Sequence, residues 1–308
     1  MEIQSVVIVG AGLIGKGLAQ VYSNCEGLEV TLYDLKDTSP LSAIRENLNQ
    51  LADREILTRA QVDERMKRIS FTTDFNHPCF ARADLVAESV FEDMRLKQDT
   101  FARLESRCRQ DAIFATNTSV MSPTEISARL VHKERLVGTH FWNPAHLIPL
   151  VEVVKSGYTS DEVAETTLKL LERAGKVPVL CKKDVPGFIA NRMQHALWRE
   201  AISILENDIA DAETIDKAVR YSFGLRLPQL GPLENLDMVG ADLIYNIHDY
   251  LLPHLENSPK PSPVLVKLNE GGKLGFKAGE GLRKWTPEQI EKSRRELNEY
   301  LIKMIYDQ

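Results

Sequence analysis

The sequence predicts an α/β protein, a doubly wound and mostly parallel sheet followed by an all-helical second domain. Three observations carry that prediction. Brief apolar runs alternate with helical stretches through the first half of the chain. The first run leads straight into Gly10-Ala11-Gly12-Leu13-Ile14-Gly15, and no convincing strand run follows Asp184-Val185-Pro186-Gly187.

Taken in order, Ile3 to Val9, Glu29 to Tyr33, Leu85 to Ser89, Ile113 to Thr116 and Leu136 to Thr139 are short apolar runs bounded by turns or charges, the pattern of strands covered on both faces. Val151 to Val154 and Val177 to Leu180 extend the sheet. Leu41 to Leu51 and Arg95 to Arg107 are helical segments between the runs, and such alternation implies a doubly wound sheet. Beyond Pro186, residues 188 to 207 place Ile189, Met193, Leu197, Ala201, Ile204 and Leu205 at helical spacing with a broad apolar face. Ala212 to Tyr221 is a further helix. The expected domains are therefore residues 1–186 and 187–308. Near the end, Thr286-Pro287-Glu288-Gln289 combines an N-cap, a proline at the first helical position and a capping-box glutamine. Ile290, Leu297, Leu301 and Ile305 then give the last helix an apolar stripe.

A chain of 308 residues has material for two ordinary domains, and 43% apolar with 27% charged residues is a globular composition. The net charge of −6 gives no reason to expect nucleic acid or an anionic membrane as a partner. The start, Met1-Glu2, lacks the positive region of a secretory signal, and the glycines cut the apolar run that follows too short for a membrane span. Cys25, Cys79, Cys108 and Cys181 are far apart, so they read as reduced thiols of a cytoplasmic, soluble protein with no metal site.

The glycine run is the first motif with chemistry. One glycine makes the tight turn, one lets backbone approach a pyrophosphate and one lets strand and helix pack closely; the pyrophosphate rests on the N–H groups of the helix start. Leu13 and Ile14 begin that helix. A bare glycine turn also occurs without a ligand, but here a second strand ends in Tyr33-Asp34, where a carboxylate binds the adenosine ribose hydroxyls. The first domain is thus expected to be of the Rossmann type. Asp34 would repel a 2′-phosphate and so favours NAD over NADP, with Lys36 a small opposing charge.

The second motif is Gly138-Thr139-His140-Phe141-Trp142-Asn143-Pro144, followed by Glu152 on the next apolar run. Oxidising an alcohol by hydride loss needs a base for the hydroxyl proton; histidine titrates near neutrality, and a carboxylate partner fixes its tautomer. Taken alone, a histidine at a strand end is more often structural or solvated than catalytic.

The ordered set Gly10-x-Gly12-x-x-Gly15, Ser119, His140-x-x-Asn143-Pro144, Glu152 and Pro186-Gly187-Phe188-x-x-Asn191-Arg192 resembles the 3-hydroxyacyl-CoA dehydrogenase superfamily. Gly231-Pro232-Leu233-Glu234-Asn235-Leu236-Asp237, Pro261-Ser262-Pro263 and Gly279-Glu280-Gly281 carry the likeness up to Trp285, and the terminal helix lies beyond it. The resemblance implies that His140 takes the hydroxyl proton and that Glu152 orients it. Ser119 and Asn191 hydrogen-bond the reacting oxygen, and Asn143 helps hold that network. Glu92 and Lys97 lie towards the nicotinamide end of the cofactor, and Asn117 is a further cofactor contact. It also implies a homodimer formed through the helical domain.

Gly224-Leu225-Arg226-Leu227-Pro228-Gln229-Leu230-Gly231-Pro232 departs from the acyl-CoA enzymes and resembles the branch containing L-gulonate 3-dehydrogenase and L-carnitine dehydrogenase, whose substrates are free 3-hydroxy acids. An arginine fork suits a carboxylate, whereas beside an uncharged thioester a buried guanidinium would stand unpaired. Arg226 is therefore the expected substrate-carboxylate contact, the alternative being a surface or subunit-bridging arginine. The segment His140 to Pro149 also looks like that of a dehydrogenase acting on a pyridine carboxylate. The leading expectation is an NAD-dependent 3-hydroxy-acid dehydrogenase. The competing ones are a short-chain L-3-hydroxyacyl-CoA dehydrogenase and a catalytically silent NAD-binding protein.

Overall fold

The computed structural model describes residues 2–306. The chain forms two compact units, Met1–Arg192 together with Glu299–Gln308, and Met193–Asn298. The first unit runs in the order β1 (Ser5–Val9), α1 (Leu13–Tyr22), β2 (Glu29–Tyr33), α2 (Pro40–Ala52), α3 (Arg59–Lys67), β3 (Ile69–Thr72), α4 (Cys79–Arg82), β4 (Leu85–Glu88), α5 (Met94–Glu105), β5 (Ile113–Thr116), α6 (Pro123–Ile126), β6 (Leu136–Phe141), β7 (Leu150–Lys155), α7 (Asp161–Arg173) and β8 (Val177–Cys181). The remaining helices are α8 (Ala190–Glu206), α9 (Ala212–Arg220), α10 (Phe223–Arg226), α11 (Pro232–Val239), α12 (Ala241–Leu251), α13 (Pro263–Glu270) and α14 (Pro287–Tyr306).

The eight strands lie in the order β3-β2-β1-β4-β5-β6-β7-β8, and every neighbouring pair is parallel except β6 with β7. The strand order reverses beside β1, so β1 and β4 flank the crevice where ligands bind in open α/β sheets. Alternate β1 side chains feed the two faces: Val6 and Ile8 pack in one apolar cluster with Leu18 and Leu48, while Val7 and Val9 pack in another with Phe101 and Phe114. Covering on both faces is why the central strands read as unbroken apolar runs.

The antiparallel step has a local cause. Residues 142–149 form a short loop between β6 and β7, and a parallel return needs a crossover, usually a helix, that this loop does not supply. The register then sets His140 directly opposite Glu152. After α7 the chain re-enters in parallel as β8.

The first unit continues past Pro186, where the sequence suggests a boundary. Phe188 is buried with Val154 and Cys181, and the Asn191 side chain hydrogen-bonds the Ser119 carbonyl, which ties this stretch to the sheet. The end of the chain also returns to it. Thr286 and Gln289 form the reciprocal cap expected at the start of α14, and its last turns bury Ile302 with Leu301 and Ile305 against the first cluster. Among the described residues, the Met193–Asn298 unit holds isolated bridges at Gly275, Glu280 and Lys284 but no named strand.

Candidate active site

The glycine turn sits at the carboxyl end of β1. A Cβ on Gly10, whose φ is +105°, would lie 2.4 Å from the Ser89 carbonyl oxygen, and one on Gly15 would lie 1.8 Å from the Gly10 oxygen. Both positions therefore require glycine, one for the turn and one for helix–strand approach. Gly12 differs: nothing lies within 4 Å of its would-be Cβ, so it faces the space a pyrophosphate would take. The first helical bond is donated by Lys16 to the Gly12 carbonyl. The N–H groups of Leu13, Ile14 and Gly15 precede it and belong to the unpaired first turn. Asp34, at the end of β2, accepts from the Ala11 N–H and the Leu35 N–H, each at 2.7 Å. With one donor on each oxygen, the carboxylate still has lone pairs for two ribose hydroxyls. These features fit a dinucleotide.

Next to this turn, at the end of β4, lies a buried ionic cluster. Glu88 and Lys97 are fully buried, and the Lys97 ammonium donates to Glu88 at 2.8 Å and lies 3.3 Å from Glu92. Thr116 and the Val90 N–H also donate to Glu88, at 2.7 Å each. Burial pushes the Glu88 carboxyl above its usual range despite these donors. Burial acts on Glu92 in the same sense, but donors from Thr118, Lys97 and the Ser119 N–H outweigh it and hold that carboxyl low. Glu92 thereby anchors the Thr118-Ser119 loop at 2.5 Å and 3.0 Å. Asn117 accepts from the Phe141 N–H at 3.1 Å, which links the same loop to the end of β6.

The reacting pair is on the antiparallel strands. His140 Nδ1 lies 2.7 Å from Glu152 Oε2, with His140 nearly and Glu152 fully buried. Glu152 Oε1 accepts from the Ile189 and Ala190 N–H groups at 2.8 and 3.0 Å, at the start of α8. Burial by itself would raise the Glu152 carboxyl, but His140 and the two backbone donors bring it below the usual carboxylate range. A carboxylate so held directs the Nδ1 proton towards itself and leaves Nε2 as the basic nitrogen of the imidazole. Asn191 Nδ2 donates to the Ser119 carbonyl at 2.9 Å, leaving a second amide hydrogen and Oδ1 for other partners.

The first unit therefore brings His140, Glu152, Ser119 and Asn191 to the same end of the sheet, with Glu92, Lys97 and Asn117 behind the Ser119 loop. Asn143 is exposed in the loop after β6, and among the described residues it makes no hydrogen bond to the other four. The supporting role expected of it finds no bond here. Arg226 ends α10 in the second unit, is exposed, and has no acidic partner among the described residues.

Two buried groups near these residues, Glu88 and Lys176, had no role assigned from the sequence. Glu88 is the buried partner of Lys97, and a lone glutamate ending an apolar strand was its available signal. Trp142 directs its indole N–H at Glu152 Oε2, 3.4 Å away. Lys176 donates to the Ala145 and Ile148 carbonyls at 2.7 and 2.9 Å, pinning the loop after Pro144; burial lowers its ammonium to about 8.

Two family models match in tandem: "3-hydroxyacyl-CoA dehydrogenase, NAD binding domain" over residues 5–185 and "3-hydroxyacyl-CoA dehydrogenase, C-terminal domain" over residues 187–285. The chain is 33% identical to 5-formyl-3-hydroxy-2-methylpyridine 4-carboxylate 5-dehydrogenase of Mesorhizobium japonicum, over 94% of this chain and 93% of that one. It is 35% identical to a probable 3-hydroxybutyryl-CoA dehydrogenase of Deinococcus radiodurans, over 90% of this chain and 99% of that one. A crystal structure of a 5-formyl-3-hydroxy-2-methylpyridine 4-carboxylic acid 5-dehydrogenase, described as an NAD+-dependent dismutase, superimposes with a TM-score of 0.89 at 31% identity, over 98% of both chains. With both domains matched in order, the chain belongs to the 3-hydroxyacyl-CoA dehydrogenase family and is an NAD-dependent oxidoreductase.

Proposed function

We propose that this enzyme oxidises the 3-hydroxyl of a small free 3-hydroxy acid to the 3-keto acid, with His140 as the base. The observation that carries the chemistry is the 2.7 Å contact between His140 and the buried, backbone-anchored Glu152. Gly10, Gly12, Leu13, Ile14, Gly15 and Asp34 would hold NAD, which when bound accepts the hydride from the carbinol carbon. His140 takes the hydroxyl proton, and the charge it gains is balanced by Glu152 beside it. Ser119 and Asn191 hydrogen-bond the reacting oxygen, and in the reverse direction they polarise the ketone.

The free-acid reading rests on Arg226, a guanidinium with no acidic partner among the described residues, and on a relative whose name specifies a pyridine carboxylate. The second reading, a short-chain 3-hydroxyacyl-CoA substrate, is favoured by the 3-hydroxybutyryl-CoA relative. NADH formation should be compared on 3-hydroxybutyrate, gulonate, carnitine and a pyridine carboxylate alcohol against 3-hydroxybutyryl-CoA. Turnover of the thioester with none of the free acids overturns the carboxylate assignment. Arg226→Ala is expected to raise KM for the free acid by about 10- to 100-fold, the range of a lost charge-assisted contact, with a much smaller change in kcat. An unchanged KM removes Arg226 from the substrate.

The enzyme acts as a homodimer through its helical unit. Helices α9 to α13 contain no buried residue, and Tyr221, Leu233 and Tyr250 are 80%, 75% and 78% exposed. That apolar exposure supports an association surface, and a second copy is the occupant the resemblance implies. Sedimentation velocity should give about twice the 34.7 kDa chain mass. A stable, active monomer overturns this assignment.

A further inference from the structure

His140 lies on β6 opposite Glu152 of β7, and Trp142, the first residue of the loop after β6, turns its indole N–H to the same carboxylate. The consequence is a carboxylate with four donors. Its Oε1 takes the Ile189 and Ala190 N–H groups, while its Oε2 takes His140 Nδ1 at 2.7 Å and the Trp142 indole N–H at 3.4 Å. The indole ring also lies beside the imidazole, their centroids 5.3 Å apart and tilted by 49°, with Phe188 at 5.7 Å as a second aromatic neighbour.

We propose that Trp142 is a positioning residue of the dyad: its indole N–H shares Glu152 Oε2 with His140 and limits how strongly the carboxylate holds the imidazole proton. This rests on the reading of His140 as the base only where turnover is concerned; the hydrogen-bond competition stands apart from it. The physical argument is electrostatic. Each donor on a carboxylate draws off electron density, and a carboxylate relieved of one donor stabilises a neighbouring imidazolium more strongly. At 3.4 Å the indole is the weaker donor on that oxygen, so it trims the interaction without replacing it. Trp142 thus weakens the hold on the transferred proton, which favours its release after oxidation. Of the ionisable groups on the strands beside Glu152, His140 faces it from β6 and Cys181 senses it from β8. Burial keeps the Cys181 thiol high and neutral, so the Glu152 charge is read by His140.

The test is Trp142→Phe, which keeps an aromatic ring and loses the N–H. The pH midpoint of the His140 ring signal should be followed by NMR, assigned by its loss in His140→Asn, together with the acid limb of kcat/KM for hydroxyl oxidation. Both are expected to move to higher pH by about half a unit. An unmoved ring midpoint overturns the proposal whatever happens to turnover. A ring midpoint that moves while the kinetic limb stays put supports the proposal and overturns the base assignment of His140. Should Trp142→Phe fail to fold, benzothienylalanine at position 142 retains the bicyclic shape and puts sulfur in place of the N–H. The same shift is expected from it, and its absence overturns the proposal equally.

Discussion

His140→Asn is expected to reduce NADH formation by on the order of 10²- to 10⁴-fold, the range a positioned general base supplies, while NADH affinity stays unchanged. The separation of the two effects follows from where the groups sit. The glycine turn and Asp34 are tied together by the Ala11–Asp34 bond at the ends of β1 and β2, and His140 takes no part in that contact. Glu152 would keep its two backbone donors and the Trp142 indole, so the asparagine variant leaves the carboxylate paired. The loss should therefore fall on kcat, with KM for the hydroxy acid little moved, because the proton leaves in the transition state and not on binding. Steady-state kinetics and a fluorescence titration with NADH check both halves. Unchanged turnover removes His140 from the mechanism, and lost NADH affinity shows that the substitution disturbed the fold.

How far this site could be read from the sequence depends on what each residue needs from the rest of the chain. The parallel strands were legible because burial on both faces leaves an uninterrupted apolar run, as in Val6 to Val9 and Leu85 to Ala87. Strand β3 was not. It is the edge of the sheet, and Ile69-Ser70-Phe71-Thr72 has one buried residue, so its pattern is too short and polar to stand out. The glycine turn is a local device and was complete in the sequence, down to the distinct demands on Gly10, Gly12 and Gly15. The pairing of His140 with Glu152 was suggested by resemblance. Its geometric cause, a reversal in strand direction, lies in an irregular loop with no periodicity to read. Lys97 carried a hint, but its fully buried partner Glu88 did not, since one glutamate after Leu85-Val86-Ala87 looks like a strand end. The second domain was readable as helices only. An apolar stripe such as that of residues 188–207 is the same whether it covers a core or a second subunit, so the exposure of α9 to α13 had no signature of its own.

Glu152→Ala is expected to damage folding and turnover together, whereas Glu152→Gln should separate them. The alanine variant leaves the His140 ring, the Ile189 and Ala190 N–H groups and the Trp142 indole without their common acceptor inside the protein. Breaking a buried charged pair from one side costs about 3–5 kcal/mol, enough to consume much of an ordinary domain's stability. Glutamine retains one oxygen and the volume but places an NH₂ where two donors already converge. Its turnover should still fall by on the order of 10²-fold or more, because a neutral amide cannot balance the imidazolium. The pH dependence of stability distinguishes charge from shape. The folded carboxyl of Glu152 is held below its usual value, so its contribution is fully present above the unfolded value of about 4.3 and is lost as pH falls through the lower folded value. The unfolding free energy of the wild type should therefore exceed that of Glu152→Gln by most at neutral pH. The gap should close as the pH is taken down below about 4.3. Urea unfolding of both proteins across that window reads the effect directly. A gap that persists unchanged in acid assigns the loss to packing, and a gap that vanishes assigns it to the buried charge that faces His140.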